Sequence, residues 1–250
     1  DRKRIIKDTI NYDTFFDYSK SISDYFLTWG WKNQLKIVKK FSSLRVFSSI
    51  KKYKKIKKID DQISSICFIL CGYSRFGECL YDNFVENKKA EKARIDLLKS
   101  IRKHKKIKII LKPRGGSFLL NDTKKYYKQF EILKDKTRMY DIFGKFSIII
   151  FERMSLGIVE SIYLNQPTIF YYPKKLYQLK NKNYKNLFNL LKKANILFDD
   201  KKKVEQIINS KKNISKWWFD KKNVQIRKKL LKKFANSFVY SDLSKLKKLV

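Results

Sequence analysis

The hydrophobic pattern of residues 146–172 predicts a strand, a helix and a second strand in direct succession. Residues 148–151 form a short apolar run rich in β-branched side chains, which is typical of a strand buried on both faces. Leu156, Val159 and Tyr163 then recur at helical spacing. Residues 167–171 read as the next strand, with a proline at its first position, where a strand tolerates it. The pattern indicates a βαβ unit with parallel strands.

The same alternation of strands and helices continues on both sides of this unit. Together the segments predict an α/β fold, a parallel Rossmann-like sheet flanked by helices, preceded by an N-terminal aromatic and basic segment. The predicted strands lie at residues 63–70, 107–111 and 195–198, and the predicted helices at 83–105, 122–133, 139–144, 183–194 and 200–209.

Changes of composition along the chain divide it into three predicted parts. Residues 1–60 form an N-terminal connecting segment that ends in a basic run at 51–58. Residues 61–212 form the Rossmann-like domain. Residues 213–250 form a C-terminal helical tail, in which tryptophans and an apolar stripe are expected to pack on the sheet.

The net charge of +37, from 60 basic and 23 acidic residues, leaves two interpretations open. A basic nucleic-acid-binding module is one of them. The other is codon bias, because lysine, asparagine, isoleucine, phenylalanine and tyrosine are all abundant and all have codons rich in A and T. A positive surface favours anionic partners in either case, including nucleotides and acidic membrane surfaces.

Several classes of site are not indicated by the sequence. No apolar stretch approaches the ~20 residues of a membrane span. Three cysteines, without a paired CxxC, and one histidine argue against a disulfide framework and a zinc site. The sequence has no Asp-x-Asp motif after a predicted strand, so we expect no metal and no other cofactor.

The best candidate site follows the strand at residues 148–151. Ligands of parallel α/β sheets bind beyond the carboxyl ends of the strands, which is where Glu152, Ser155 and Gly157 are expected to lie. Ser155 and Gly157, near a helix start, are suited to a phosphate. Glu160 is suited to the two ribose hydroxyls, because a carboxylate accepts several hydrogen bonds.

Two further loops at predicted strand ends contribute candidate phosphate ligands. The loop at residues 72–77 carries Arg75, and the glycine-containing loop at residues 112–117 carries Arg114. An arginine can clamp a phosphate, and glycines let backbone N–H groups turn toward an anion. The second loop lacks the spacing of a P-loop, and a plain turn explains it equally well.

The order Ser155-Leu-Gly157-Ile-Val-Glu160, followed by Asn165-Gln-Pro167, resembles the C-terminal donor-binding half of GT-B glycosyltransferases. More closely, the chain resembles transferases encoded in bacterial gene clusters for surface polysaccharide, such as lipopolysaccharide and capsule. Leu156 departs from the threonine usual at its position. Further segments that carry the resemblance lie at residues 22–31, 214–218, 223–225 and 234–235.

The resemblance implies a cytoplasmic glycosyltransferase, possible contact with the inner membrane face, and a nucleotide-sugar donor. Its acceptor would be a lipid-linked glycan or a polysaccharide. The expected positions at strand ends and the resemblance together place Glu160, Ser155, Gly157, Glu152, Arg114 and Arg75 at the donor nucleotide. The resemblance also implies a preceding N-terminal half, not present in this sequence, so the chain would hold a donor but lack the acceptor side. A nucleic-acid-binding module and a phosphotransferase or epimerase of related fold are the alternatives.

Overall fold

The computed structural model describes residues 26–28, 36, 38–40, 56, 62–70, 84–104, 106–113, 125–134, 136–152, 155–173, 182–209 and 214–234. Within these ranges a short parallel pair, β1 (Phe26–Thr28) and β2 (Val38–Lys40), precedes a six-stranded sheet. The strands of the larger sheet are β3 (Ser65–Ile69), β4 (Lys108–Lys112), β5 (Glu131–Ile132), β6 (Ile148–Phe151), β7 (Thr168–Tyr171) and β8 (Leu197–Phe198).

All six strands run parallel in the order β5-β4-β3-β6-β7-β8, which is the strand order of dinucleotide-binding Rossmann folds. The predicted α/β class with a parallel Rossmann-like sheet is therefore confirmed. The helices are α1 (Phe84–Arg102), α2 (Leu156–Tyr163), α3 (Lys182–Lys193), α4 (Lys201–Asn209), α5 (Ile214–Trp218) and α6 (Lys221–Phe234), with a 3-10 turn at Met139–Asp141.

One predicted element is wrong. The sequence pattern predicted a helix over residues 122–133, but the described helical part ends at Tyr127 and the chain then forms the edge strand β5. Leu133 N donates to Leu111 O at 2.8 Å, continuing the pairing of β5 with β4. Backbone pairing with an open sheet edge thus outweighs the local helical preference of this segment.

Alternating side chains of the central strands divide the core into two layers. Ile148 and Ile150 pack in the layer covered by α1 and α4, whereas Ile149 and Phe151 pack in the layer covered by α2 and α3. Each of these four side chains is at most 2% exposed. Burial on both faces explains why β6 reads as an unbroken apolar run rather than an alternating one.

The turn between α2 and β7 explains part of the Asn165-Gln-Pro167 motif. Asn165 has φ 59°, in the left-handed region that asparagine tolerates after a helix. The fully buried Gln166 accepts a hydrogen bond from Gly144 N at 2.7 Å and donates one to Phe146 O at 2.9 Å. Asn165 therefore shapes the turn after α2, and Gln166 holds the segment that precedes β6. Both roles are structural.

The C-terminal tryptophans pack on the domain as predicted. Trp218 is fully buried in the layer with α2 and α3, and Trp217 Nε1 donates to Asn195 O at 3.1 Å. Asn223 joins this network by donating to Trp217 O at 3.1 Å. These bonds fasten the start of α6 to the turn before β8.

Arg227, on the inner side of α6, is a buried cation stacked on an aromatic ring. Its guanidinium carbon lies 4.0 Å from the Trp218 ring centroid, and the residue is 3% exposed. Among the described residues, no hydrogen-bond acceptor reaches Nη1 or Nη2. Burial lowers the pKa of Arg227 to about 10, with Asp220 opposing the shift, so folding disfavours the charged form.

Replacing this cation is expected to leave the protein at least as stable. Arg227→Met should raise the free energy of unfolding by about 1–2 kcal/mol or leave it unchanged, because buried charge without hydrogen bonds is costly. Urea unfolding followed by circular dichroism measures the change. Lys228→Met, on the exposed side of the same helix, is the matched control. A loss above about 2 kcal/mol for Arg227→Met alone contradicts the prediction.

Candidate functional site

The strand order reverses between β3 and β6, and doubly wound sheets form a crevice beyond the carboxyl ends of their strands at such a switch point. The two strands pair directly, with Ile69 opposite Phe151 at their carboxyl ends. The chain leaves β3 toward β4 on one side and leaves β6 toward β7 on the other. Ligands of doubly wound sheets bind in such a crevice. Glu152 is the first residue beyond β6 at this edge.

Glu152 is held by a bidentate ion pair with Arg94 of α1. Arg94 Nε donates to Glu152 Oε2 at 2.5 Å, and Arg94 Nη2 donates to Oε1 at 2.6 Å. The side chains are 2% and 10% exposed. Arg94 Nη1 donates to the Tyr127 hydroxyl at 3.1 Å. A planar guanidinium facing a carboxylate in this way fixes both orientation and charge.

The pair keeps Glu152 as an oriented carboxylate. Burial by itself lowers the pKa of Arg94, but attraction to Glu152 and Tyr127 outweighs burial, so this pKa lies above its usual value. Burial raises the pKa of Tyr127 to about 12, with Arg94 opposing the rise. Both oxygens of Glu152 already accept hydrogen bonds from Arg94. Glu152 is consequently suited to orienting its neighbours rather than to accepting a proton.

The turn after Glu152 leads to the start of α2 at Ser155. This residue is exposed, has an extended backbone and makes no side-chain capping bond. Its hydroxyl is therefore directed to solvent or to a ligand instead of the helix. The N–H groups in the first turn of a helix have no partner within the helix, and the helix dipole favours an anion there. The geometry at Ser155 is compatible with a phosphate.

Gly157, in the same turn, has a packing role. A Cβ at this position would lie 3.0 Å from Phe151 Cε1 and 3.3 Å from Met139 Cε. The absence of a side chain lets α2 approach the end of β6 closely. This close approach brings the first turn of α2 to the carboxyl edge of the sheet.

Glu160 is an acidic residue buried in the second turn of α2, where it is 1% exposed. It lies two positions from both Ile158 and Ile162, which face the core layer under the sheet. At 100° per residue, Glu160 is on roughly the opposite side of the helix from those two. Its carboxylate is thus enclosed away from the sheet-facing core, whereas Ser155, just before the helix, is exposed.

Two of the predicted phosphate ligands, Arg75 and Arg114, lie outside the described residues, as does most of the basic run at 51–58. The sequence analysis missed Lys112, at the carboxyl end of β4, opposite Ile69 of β3. Lys112 is 6% exposed and its Nζ donates to Pro113 O at 3.1 Å. A lysine at the end of a predicted buried strand is the sequence signal that could have identified this residue.

The described ranges contain neither a metal-binding cluster nor a membrane span. No three of their His, Cys, Asp and Glu side chains converge as an ion would require. None of their helices combines the length and hydrophobicity needed to cross a bilayer. Cys67 is a buried core thiol, whose pKa burial raises to about 12 with Lys112 opposing the rise.

The fold is that of a Rossmann-like α/β protein, and the switch point of its sheet is the candidate ligand site. The chain matches the model of the LIC12162 family of transferases over residues 9–248, and it belongs to that family. No curated protein matches the chain. One similar solved structure is that of the wall teichoic acid polymerase TagF, at 12% sequence identity and a TM-score of 0.49.

The TagF alignment covers 96% of this chain and 62% of the polymerase chain, so this chain spans about three fifths of that length. At this TM-score and identity the likeness assigns no activity. What is shown is membership of a family of transferases, and the family's description does not name the group transferred.

Removing Arg94 is expected to cost about 3–5 kcal/mol of stability, because Arg94→Met leaves the Glu152 carboxylate buried without its partner. Arg94→Met/Glu152→Leu should recover much of this loss, since both charges are then absent. Lys108→Met, which removes an ion pair with side chains 62% and 51% exposed, should cost less than about 1 kcal/mol. If urea unfolding shows equal losses of stability for Arg94→Met and Lys108→Met, the Arg94–Glu152 pair contributes no more than an exposed ion pair and the prediction is wrong.

Gly157→Ala is expected to destabilise the protein by about 1–2 kcal/mol, because the new methyl group overlaps the Phe151 ring. Alanine favours the helix by about 1 kcal/mol, which offsets part of the loss. In the double variant Phe151→Leu/Gly157→Ala, the effect of the alanine should shrink or reverse. If the effects of Phe151→Leu and Gly157→Ala on thermal unfolding are additive, the predicted contact between the two positions is contradicted.

Proposed function

We propose that this transferase is a glycosyltransferase and that the described sheet forms its donor-binding part, which takes a nucleotide-sugar. The observation that carries the proposal is the switch-point crevice, where the open start of α2 and the buried Glu160 belong to one short helix. Membership of a transferase family and the sequence resemblance to GT-B donor domains support it.

The diphosphate of the donor is assigned to the first turn of α2. Ser155 supplies a hydroxyl without a capping role, and the N–H groups of Leu156 and Gly157 belong to the same turn. Negative charge is stabilised there by the helix dipole and by direct hydrogen bonds. Arg75 and Arg114 are proposed to complete the phosphate ligands, and Lys112 adds positive charge at the end of β4.

The ribose is assigned to Glu160. A rise of ~1.5 Å per residue places Glu160 about 7 Å beyond Ser155 along the helix, a separation similar to that between the phosphates and the ribose hydroxyls. Glu160 would accept hydrogen bonds from both hydroxyls in a site closed to water, where such bonds to a carboxylate are strong. Glu152, fixed by Arg94, orients the turn between the strand and the helix.

Catalysis in this proposal is positioning combined with electrostatic stabilisation. The sugar–phosphate bond breaks with the electron pair moving to the leaving phosphate oxygen, whose growing charge the helix N–H groups and basic side chains stabilise. The acceptor, a lipid-linked glycan or a polysaccharide at an acidic membrane surface, supplies the attacking hydroxyl, whose oxygen bonds to the anomeric carbon as its proton is released to solvent. Surface-polysaccharide synthesis at the inner membrane face is part of this proposal.

Within the described residues, the distribution of charge gives no support to the nucleic-acid alternative. Exposed basic side chains occur on α1 and α4, which cover one face of the sheet, and on α3 and α6, which cover the other. A nucleic-acid-binding surface requires a continuous basic stripe on one side. A phosphotransferase or epimerase would use the same nucleotide site, and analysis of the reaction products separates these activities.

Calorimetry with UDP-, GDP-, CMP- and dTDP-sugars tests the proposal directly. At least one donor should bind, and Glu160→Ala should weaken its binding roughly tenfold to a hundredfold, because two hydrogen bonds to a carboxylate are lost. Ser155→Ala should weaken binding by a smaller factor. Glu205→Gln, in α4 on the other face, serves as the matched control and should bind normally.

Circular dichroism and thermal unfolding show whether the variants fold, and Glu160→Gln keeps the shape of the side chain if alanine disrupts it. If the wild-type protein binds none of these nucleotide-sugars, the proposed function is wrong. Binding that is unchanged in folded Glu160→Ala and Glu160→Gln proteins would remove the ribose role of this residue.

A further inference from the structure

A cavity of about 360 Å³ opens at the edge of the sheet opposite the switch-point crevice. It lies where α1 ends and β4 begins, beside the segment that leads into β5. Because the cavity reaches Ile109 and β4 ends at Lys112, about 10 Å at ~3.3 Å per residue separates this cavity from the carboxyl edge. The lining residues are Arg102, His104, Ile107, Lys108, Ile109, Gln129, Phe130 and Glu131.

Positive charge dominates the lining of the cavity. Arg102 and Lys108 are cations, and Glu131 is the one carboxylate among the eight lining residues. Lys103 and Lys106, in the turn between α1 and β4, add exposed positive charge close by. These cations attract an anion into the cavity, whereas Glu131 and the partial negative charge at the C-terminal end of α1 oppose it.

Contacts within the protein hold the two cations in place. Arg102 Nη1 donates to Gln129 Oε1, and the guanidinium carbon lies 5.7 Å from the centroid of the Phe130 ring. Lys108 Nζ lies 2.7 Å from Glu131 Oε2. Within the described residues, the side-chain hydrogen bonds of Arg102 use only Nη1, and the His104 ring makes none. Donors of both residues thus remain available to a ligand.

We propose that this cavity binds the phosphate group of a small phosphorylated molecule, such as a sugar phosphate. Arg102 and Lys108 would bind the phosphate oxygens, and His104 would donate a further hydrogen bond. Gln129 and Glu131 offer acceptors to hydroxyl groups, and the Phe130 ring offers an apolar wall. The volume lies at the lower end of the range for small-molecule sites, which favours a compact ligand over a polymer.

The site is distinct from the proposed donor site in position and in residues, and it does not depend on the glycosyltransferase assignment. The exposed cations imply binding that weakens with added salt. A phosphorylated ligand at this edge would contact the C-terminal end of α1, the helix that carries Arg94 two turns earlier.

Phosphorus NMR titrations with inorganic phosphate and with glucose 1-phosphate, at ionic strength held constant with chloride, test the proposal. The titrations are repeated with Glu160→Ala protein, in which any binding at the switch-point site is weakened, and the affinities should not change. Wild-type protein should bind the sugar phosphate more tightly than inorganic phosphate. Arg102→Gln/Lys108→Gln should weaken both by at least tenfold, and Glu131→Gln should tighten both by removing repulsion.

Lys222→Gln/Lys229→Gln removes the same charge from the exposed side of α6 and is the matched control. Retained binding in this control, together with loss in Arg102→Gln/Lys108→Gln, supports the site. An equal loss in both double variants indicates a general charge effect and overturns the proposal. Undiminished binding in Arg102→Gln/Lys108→Gln, or competition by a single-stranded oligonucleotide at equal phosphate concentration, also overturns it.

Discussion

The ion pair between Arg94 and Glu152 joins the two halves of the sheet at the point where the strand order reverses. Arg94 belongs to the helix that follows β3, and Glu152 is the first residue after β6. Two hydrogen bonds in one plane, with Tyr127 on the third nitrogen, fix the end of β6 relative to α1. The turn that leads into α2 therefore starts from a rigid point, which is a requirement for a precise ligand site.

The local packing around α2 builds on this fixed point. Gly157 allows the helix to lie against Phe151, and Asn165 and Gln166 close the turn at its other end. The helix is short and largely buried, so its direction is determined by contacts along its length. Ser155, the N-cap residue just before the helix, is exposed. A buried carboxylate and an open helix start within eight residues are a costly combination for stability alone, which favours a binding role.

Regular features of the chain could be predicted from the sequence because they depend on local pattern. The buried run of β6 and the helical spacing of α2 predicted the position of the βαβ unit. The alternation of strands with helices predicted the parallel sheet. The positions of Glu152 and Ser155 at the carboxyl edge followed from the same topology. The end of α2 was also signalled, since an Asn before Gln-Pro rarely continues a helix.

Features that depend on contacts between distant segments could not be read from the sequence. Arg94 meets Glu152 across 58 residues, and no local pattern distinguishes it from the other basic residues of α1. The edge strand β5 forms because the edge of β4 offers backbone groups for pairing. The sequence of β5 itself gives no indication of this partner. The packing role of Gly157 depends likewise on where the rings of Phe151 and Met139 come to lie.

Hydrogen–deuterium exchange with and without a saturating nucleotide-sugar tests the central claim most directly, because it maps the ligand without altering any residue. The account predicts slower exchange from residue 152 through the first two turns of α2, with little change at the turn between α1 and β4. Protection confined to the amino edge of the sheet, or to α6, with α2 unaffected, would contradict a donor site at the switch point.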